Sequence, residues 1–378
     1  MAAPQETHWR LEPHTRTKHL ILRRYLDAWL PMMAKWNGRI LFIDGFAGPG
    51  RYLGGDEGSP LIALRALLDH PHFQRPQPRR EMVFTFIEIR EDRAAALEQE
   101  LEQFRANRSI PDWVKYYVSR GEFAEVMTRV LDRLEQEGHR LAPTFTFIDP
   151  FGFKGVPMAV IARIVQNPRC ECLITFMYES INRFLSHPDP DIQAHYDELF
   201  GTEAWRLLLQ EEDPDSRRQL IVGLYRRQLV QRAGLQHVRT FEMINRGNRT
   251  EYFLHFGTNS LHGLSKMKQA MWRADPERGQ IFSDLTDTNQ MVLLQPMPDL
   301  IGLRNLLQQR FQRQGWIGID QVEEFVLKDT PYSEAIHLRR LTLRPMEVEK
   351  PPCLQVRRPE GARNRPGDYP PGTRLKFL

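Results

Sequence analysis

Residues 40–55 read ILFIDGFAGPGRYLGG. An unbroken apolar run ends in Asp44, and a turn holding Gly45, Gly48 and Gly50 follows at once. With Asn37-Gly38 before it and Gly45 after it, RILFID (39–44) is predicted as a strand buried on both faces. A glycine turn at the carboxyl end of such a strand lets the backbone approach a ligand closely, because no side chain stands in the way. In open α/β sheets that end of the strand is where ligands bind. A tight turn without a ligand is the plainer reading of the same residues.

Outward from this stretch, short apolar runs alternate with amphipathic ones. MVFTFIE (82–88), KYYVS (115–119), TFTFID (144–149) and CECLITFM (170–177) are predicted as further strands. Between them, apolar residues recur at helical spacing, as at Ala94, Leu97, Leu101 and Phe104. Strands alternating with helices of this length imply βαβ units and a parallel sheet. Residues 180–235 read as a helical insertion. VRTFEMIN and TEYFLHFG then flank Arg246-Gly247-Asn248, a hairpin signal. The predicted class is α/β, a Rossmann-like sheet closed by a terminal hairpin, which is the sheet plan of class I methyltransferases. From about residue 295 the order becomes helix, helix, helix and two short strands, CLQVRR (353–358) and TRLKFL (373–378). That is the order of a winged helix-turn-helix, so the expected domains are 1–294 and 295–378.

The chain has 378 residues and a net charge of +4. Its 41% apolar and 26% charged residues are globular proportions, so disorder over most of the chain is excluded. No apolar run reaches the ~18–20 residues of a spanning helix, and no membrane partner is expected. MAAPQETHWRLEPHTR lacks the apolar centre of a secretory signal. Three cysteines are too few for a disulfide framework or a metal cluster, so a reduced, cytoplasmic protein without metal is expected. The last 45 residues carry net +5 and the remaining 333 net −1. A basic tail points either to a polyanion partner or to a solvated face. Arg75, Arg79 and Arg80 form a smaller basic cluster in a Pro-rich loop.

Glu88 ends the second strand, where nucleotide-binding α/β folds place an acid on a ribose. The glycine turn lacks the Gly-Lys-Ser/Thr ending of a phosphate loop, which disfavours an ATPase or kinase. A ligand with a ribose and no phosphate, such as S-adenosylmethionine, suits a glycine backbone plus an acid. Gly121-Glu122-Phe123 would lie beside the adenine; Glu122 is either an acceptor for its amine or a helix N-terminal acid. The fourth strand ends in Asp149-Pro150-Phe151-Gly152. This string resembles the Asp-Pro-Pro-Tyr motif of methyltransferases that act on exocyclic amines of bases, and the corresponding motif of tRNA dimethylguanosine methyltransferases. The resemblance implies that Asp149 and a backbone carbonyl accept from the amine while Phe151 stacks on the base. The plainer reading of Asp149 is a helix cap. In 266–276, Lys266, Lys268, Trp272 and Arg273 either line a nucleic-acid channel or belong to a core helix packed on the sheet.

Taken together, KHLILRRYLDAWLP (18–31), WNGRILFIDGFAGPGRYLGGDEGSPLIAL (36–64), FTFIDPFGFKGVP (145–157) and KMKQAMWRADPERGQIFSD (266–284) resemble the three-Cys-motif partner (TcmP) family. That resemblance implies a class I methyltransferase-like domain and a partner protein with three clustered cysteines, similar to a radical S-adenosylmethionine enzyme. The carry-over to chemistry rests on Asp44–Gly50, Glu88 and Asp149–Gly152; the expected cofactor set is Lys18, Asp44, Gly45, Phe46, Ala47, Gly48, Pro49, Gly50, Glu88 and Glu122, with Asp149, Pro150, Phe151 and Gly152 at the acceptor. Phe151 and Gly152 depart from the second Pro and the Tyr of the amine motif. For nucleic acid, DNA or RNA, the tail offers Arg339, Arg340, Arg344, Arg357, Arg358, Arg363 and Arg365. The alternative is a catalytically inactive methyltransferase-like module that binds nucleic acid or scaffolds the partner.

Overall fold

The computed structural model describes residues 4–34, 38–73, 81–284 and 298–378. The chain forms two compact units, Met1–Ser260 with Phe282–Thr286, and Leu261–Ile281 with Asp287–Leu378. The basic cluster Arg75, Arg79 and Arg80 and the expected boundary at 294/295 lie outside the described residues. Among the described residues no helix is long and apolar enough to cross a membrane.

The first unit runs α1 (Pro13–Ala34), β1 (Arg39–Asp44), α2 (Ser59–Leu68), β2 (Glu81–Glu88), α3 (Glu91–Ala106) and β3 (Val114–Arg120). It continues through α4 (Phe123–Gln136), β4 (Thr144–Ile148), α5 (Met158–Val165) and β5 (Glu171–Phe176). The helical insertion follows as α6 (Tyr178–Phe184), α7 (Pro190–Phe200), a 3-10 segment (Glu203–Gln210) and α8 (Pro214–Gln231). The hairpin is β6 (His237–Ile244) and β7 (Thr250–Thr258), and β8 (Ile281–Ser283) lies beyond β6. The sheet order is β3-β2-β1-β4-β5-β7-β6-β8. The first five strands pair in parallel, and β7 runs antiparallel between β5 and β6. This is a methyltransferase-like Rossmann sheet, with the parallel block and closing hairpin that the sequence predicts.

Local chemistry explains the elements. Leu22, Tyr25, Leu26 and Trp29 recur at helical spacing on α1 and are fully buried. Tyr25 packs on Phe145 and Phe256, and Trp29 on Phe145, so α1 covers one face of the sheet. The opposite face carries a second apolar layer from α4, α5 and the helical insertion. In α7, Asp189 caps the Asp191 N–H, Pro190 opens the first turn and Gly201 closes the helix at φ 63°.

Register then places the chemistry. Strand order reverses between β1 and β4, the switch point beside which open sheets bind ligands. Asp44 pairs with Phe147 on one side and Phe86 on the other. Asp149 and Glu88 therefore emerge two residues beyond, at the same end of adjacent strands.

The second unit holds α9 (Leu261–Ala274), α10 (Leu300–Phe311), β9 (Ile317–Gly318), α11 (Ile319–Asp329), a π-helical segment (Glu334–Leu343), α12 (Arg344–Val348), β10 (Leu354–Arg357) and β11 (Arg374–Phe377). Its three strands pair antiparallel in the order β10-β11-β9. The two-residue β9 is too short for any periodicity and has no counterpart in the sequence reading. Its core gathers Leu307, Phe311, Val326, Leu338, Leu375 and Phe377.

Helix α9 belongs to this unit. The Trp272 ring stacks 5.9 Å from Tyr332, and its Nε1–H donates to the Pro331 carbonyl at 2.9 Å. Lys268, 1% exposed, donates to the carbonyls of Val326, Leu327 and Thr330, each at 2.9 Å. Those carbonyls end α11, where intrahelical donors run out and the helix dipole is negative. The stretch 266–276 thus lies on a core helix whose Lys268 and Trp272 pack within the second unit. Lys268 and Trp272 line no channel, since both are buried in the unit's interior.

Candidate functional site

The carboxyl ends of β1, β2, β3 and β4 surround two cavities of the first unit. One, of about 270 Å3, meets Lys18 on α1, the turn Phe46–Gly50, and Asp149, Pro150 and Phe151 after β4. The other, of about 410 Å3, meets Gly45, Phe46, Glu88, Gly121, Glu122 and Phe123, with Lys154 and His195 on its rim. Phe46 borders both. Gly152 borders neither and lies against a separate, water-sized space.

Asp44 is fully buried beneath the turn. Its Oδ1 accepts the Phe46 N–H at 3.2 Å, while Oδ2 has no partner within hydrogen-bond distance. Burial pushes the carboxyl up to about 7, opposed by the Ser59 side chain and the Phe46 N–H and reinforced by Asp149 and Glu88. A buried acid with an open oxygen is a site for a donor or a cation. Glu88, also buried, accepts from Gly48 N–H at 2.9 Å and from Arg90 N–H at 2.8 Å. Each of its oxygens keeps a further lone pair for a ligand hydroxyl. Glu122 stands at the N-cap of α4 without making a cap hydrogen bond, and it faces the larger cavity.

The glycines of the turn serve packing as well as access. A Cβ on Gly45 would lie 2.6 Å from the Phe123 ring, and one on Gly50 would lie 2.8 Å from Leu97. Gly48 adopts φ 63°, a left-handed conformation that favours glycine, and a Cβ there would touch the Trp9 indole at 3.4 Å. Phe123 is 2% exposed, packs on Phe46 at 5.8 Å and borders the larger cavity.

Asp149 is held from α1. Lys18 Nζ donates to its Oδ1 at 2.6 Å and lies 4.9 Å from the centre of the Tyr252 ring. Lys18 is buried, and its neighbour His19 stays neutral, with burial and the Lys18 charge lowering it to about 3. The structure therefore brings Lys18 to the predicted acceptor loop as the partner of Asp149. Asp149 is not a helix cap, since Pro157 holds the N-cap of α5.

Several residues of the smaller cavity carry no sequence signal. The segment before α1 folds across it and contributes Trp9. Arg93 Nη2 donates to the carbonyls of Pro4 and Glu6, Thr7 donates to Asp92, and Leu53 N–H donates to the Trp9 carbonyl. Trp9 meets Phe151 edge-on at 5.1 Å and Tyr52 at 5.7 Å, with the Arg93 guanidinium 4.6 Å over the indole. Tyr252 donates from its hydroxyl to the His14 carbonyl at 3.1 Å, and His14 Nδ1 bonds Asp284 at 2.9 Å. One tryptophan in a polar N-terminal segment has no periodicity to mark it.

In the second unit the tail arginines divide. Arg358 is interior, binding Glu347 at 2.6 Å and the carbonyls of Asp368 and Arg365. Arg339 binds Glu323 at 2.6 Å and the Tyr369 carbonyl at 2.8 Å. Both are tied into the fold, and the Arg339 side chain is still 41% exposed. Arg357 lies 4.0 Å over the Trp316 ring. Arg340, Arg344, Arg363 and Arg365 are exposed, and among the described residues none pairs with a carboxylate. No group of three metal-ligating side chains occurs among the described residues, and all three cysteines are free thiols.

No family model matches the chain, and no curated protein does. Among solved structures it is similar to a candidate methyltransferase from Porphyromonas gingivalis W83, at 11% identity and TM-score 0.26 over 58% of this chain. The chain spans only 36% of that protein. It is also similar to a candidate caffeoyl-CoA O-methyltransferase from Staphylococcus aureus, at 14% identity and TM-score 0.28 over 62% of this chain and 82% of that one. Likeness at this level establishes no activity; the strand order and the site geometry are independent of it.

Proposed function

We propose that this chain is an S-adenosylmethionine-dependent methyltransferase acting on an exocyclic amine of a nucleobase in DNA or RNA. In this reading it works with a three-cysteine, radical S-adenosylmethionine-like partner. The second unit is read as a winged helix that holds nucleic acid through Arg340, Arg344, Arg357, Arg363 and Arg365. The observation that carries the reading is the convergence of Glu88, Glu122 and Asp149 on two adjoining cavities at the ends of neighbouring strands, with Asp44 buried beneath the turn that borders both.

The residues suit the cofactor. Glu88 has lone pairs for the ribose hydroxyls and Glu122 for the adenine amine, while the open Oδ2 of Asp44 receives the positive methionine arm. The cofactor supplies a methyl already activated by the sulfonium. The protein's part is to position the acceptor. Lys18 keeps Oδ1 of Asp149 fixed. The other oxygen of Asp149 and the Pro150 carbonyl accept the two amine hydrogens, which aims the nitrogen lone pair at the methyl. Asp149 then holds the proton that the amine loses.

Calorimetric titration with S-adenosylmethionine tests this, with Asp44→Ala as control. Binding by the intact protein and none by the variant is expected. No heat with the intact protein overturns the reading.

A further inference from the structure

The edge-to-face contact of Trp9 and Phe151, at 5.1 Å and 77°, is a van der Waals contact that leaves no ring-wide gap between them. Phe151 is the residue read above as the platform for the acceptor base. Its ring is therefore already in edge contact with an indole of the chain itself. The ring is well held: the Arg93 guanidinium lies over both Trp9 and Phe151, at 4.6 Å and 5.5 Å. The segment carrying it is tied down through Pro4, Glu6, Thr7 and the Trp9 carbonyl. The cavity beside it, about 270 Å3, falls below the ~300–1,000 Å3 of small-molecule sites.

We infer that the Trp9 indole stands in for the acceptor ring on Phe151. The acceptor is then a single unstacked nucleobase bearing an amine, and it displaces the N-terminal strap when it binds. This rests on the methyl-transfer reading for the identity of the acceptor loop and adds the acceptor's form to it. A base inside a duplex is covered on both faces by its neighbours, so only an extruded or single-stranded base can take the place of one indole ring. Arg93, freed from Trp9, would lie over the incoming base as it does over the indole. Because the strap competes with the acceptor, the intact protein binds bases more weakly by the fraction of molecules in which Phe151 is covered.

The experiment titrates intact protein, Trp9→Ala and Trp9→Phe with the 5′-monophosphates of adenosine, cytidine and guanosine. Uridine 5′-monophosphate serves as the amine-free control. Trp9→Ala is expected to bind at least one amine-bearing nucleotide about tenfold more tightly than the intact protein, and uridine monophosphate no better. Trp9→Phe, which keeps a ring on Phe151, stays within about twofold of the intact protein. Hydrogen exchange gives a second measure: saturating nucleotide should speed exchange of the Leu53 amide, whose acceptor is the Trp9 carbonyl. Equal, weaker or absent binding by Trp9→Ala, or slower exchange at Leu53, overturns the inference. A parallel titration with S-adenosylhomocysteine keeps the two claims apart, because its failure removes the cofactor reading while the nucleotide titrations decide the strap.

Discussion

Charged side chains in the two units are used in opposite ways. At the strand ends of the first unit, Lys18, Asp44 and Glu88 are buried and each is held by a named neighbour. In the tail of the second unit, Arg358 and Arg339 are built into the fold, while Arg340, Arg344, Arg363 and Arg365 stand in solvent. Formal charge per residue does not distinguish these cases. What distinguishes them is whether the backbone brings an acceptor to the charge, since a buried charge without one is strongly unfavourable. The net +5 of the tail is therefore a smaller free charge than its count, once the arginines that hold the ribbon are set aside.

The comparison breaks first at Lys268, the buried cation of the second unit. Lys268→Met takes the ammonium from three carbonyls at the end of α11, of which only that of Val326 keeps the Thr330 hydroxyl as a donor. A loss of about 3–5 kcal/mol from that unit is expected in urea unfolding. A loss under about 1 kcal/mol would mean that the ammonium contributes little beyond its packing. Next in size is Asp44. Its carboxyl lies near 7 in the folded chain against the ordinary 3.8, so the fold favours the protonated form. That contribution is complete below about pH 4 and is lost as pH rises through about 7. Relative to Asp44→Asn, the native chain should lose about 2–4 kcal/mol between pH 4 and 8. Parallel stability curves for the two proteins would exclude a raised Asp44. In the same window, S-adenosylmethionine should bind the native chain more tightly at pH 8 than at pH 6, as the charged carboxylate meets the cationic ligand.

The parallel sheet was legible because each strand is an apolar run closed by a turn residue, and that pattern depends only on neighbours in the chain. The same holds for Asp44 and Glu88, the last residues of their strands, and for Asp149, which follows β4 directly. What the sequence could not show is long-range. Trp9 reaches Phe151 across more than a hundred residues, and Lys18 reaches Asp149 likewise. The periodicity of 261–274 predicts a helix with a buried face but does not say which core receives it; Trp272 settles that by stacking on Tyr332. The room left by Gly45 and Gly50 reads as ligand access in one dimension and is filled by Phe123 and Leu97 in three.

The smallest expected effects sharpen the tail. Arg358→Ala removes an interior guanidinium bound to Glu347 and two carbonyls, so a loss of about 2 kcal/mol is expected in thermal or urea unfolding. The pair Arg363→Ala and Arg365→Ala should change stability by less than about 0.5 kcal/mol, since neither side chain has a carboxylate partner. If these two meet phosphates, the double variant should weaken binding of a single-stranded oligonucleotide uniformly across sequences. It should also lower the slope of log affinity against log salt by about 1–2. An unchanged slope in the double variant, with the stability of both proteins equal, would make the exposed arginines a solvated face. It would leave the second unit without a nucleic-acid surface at its ribbon.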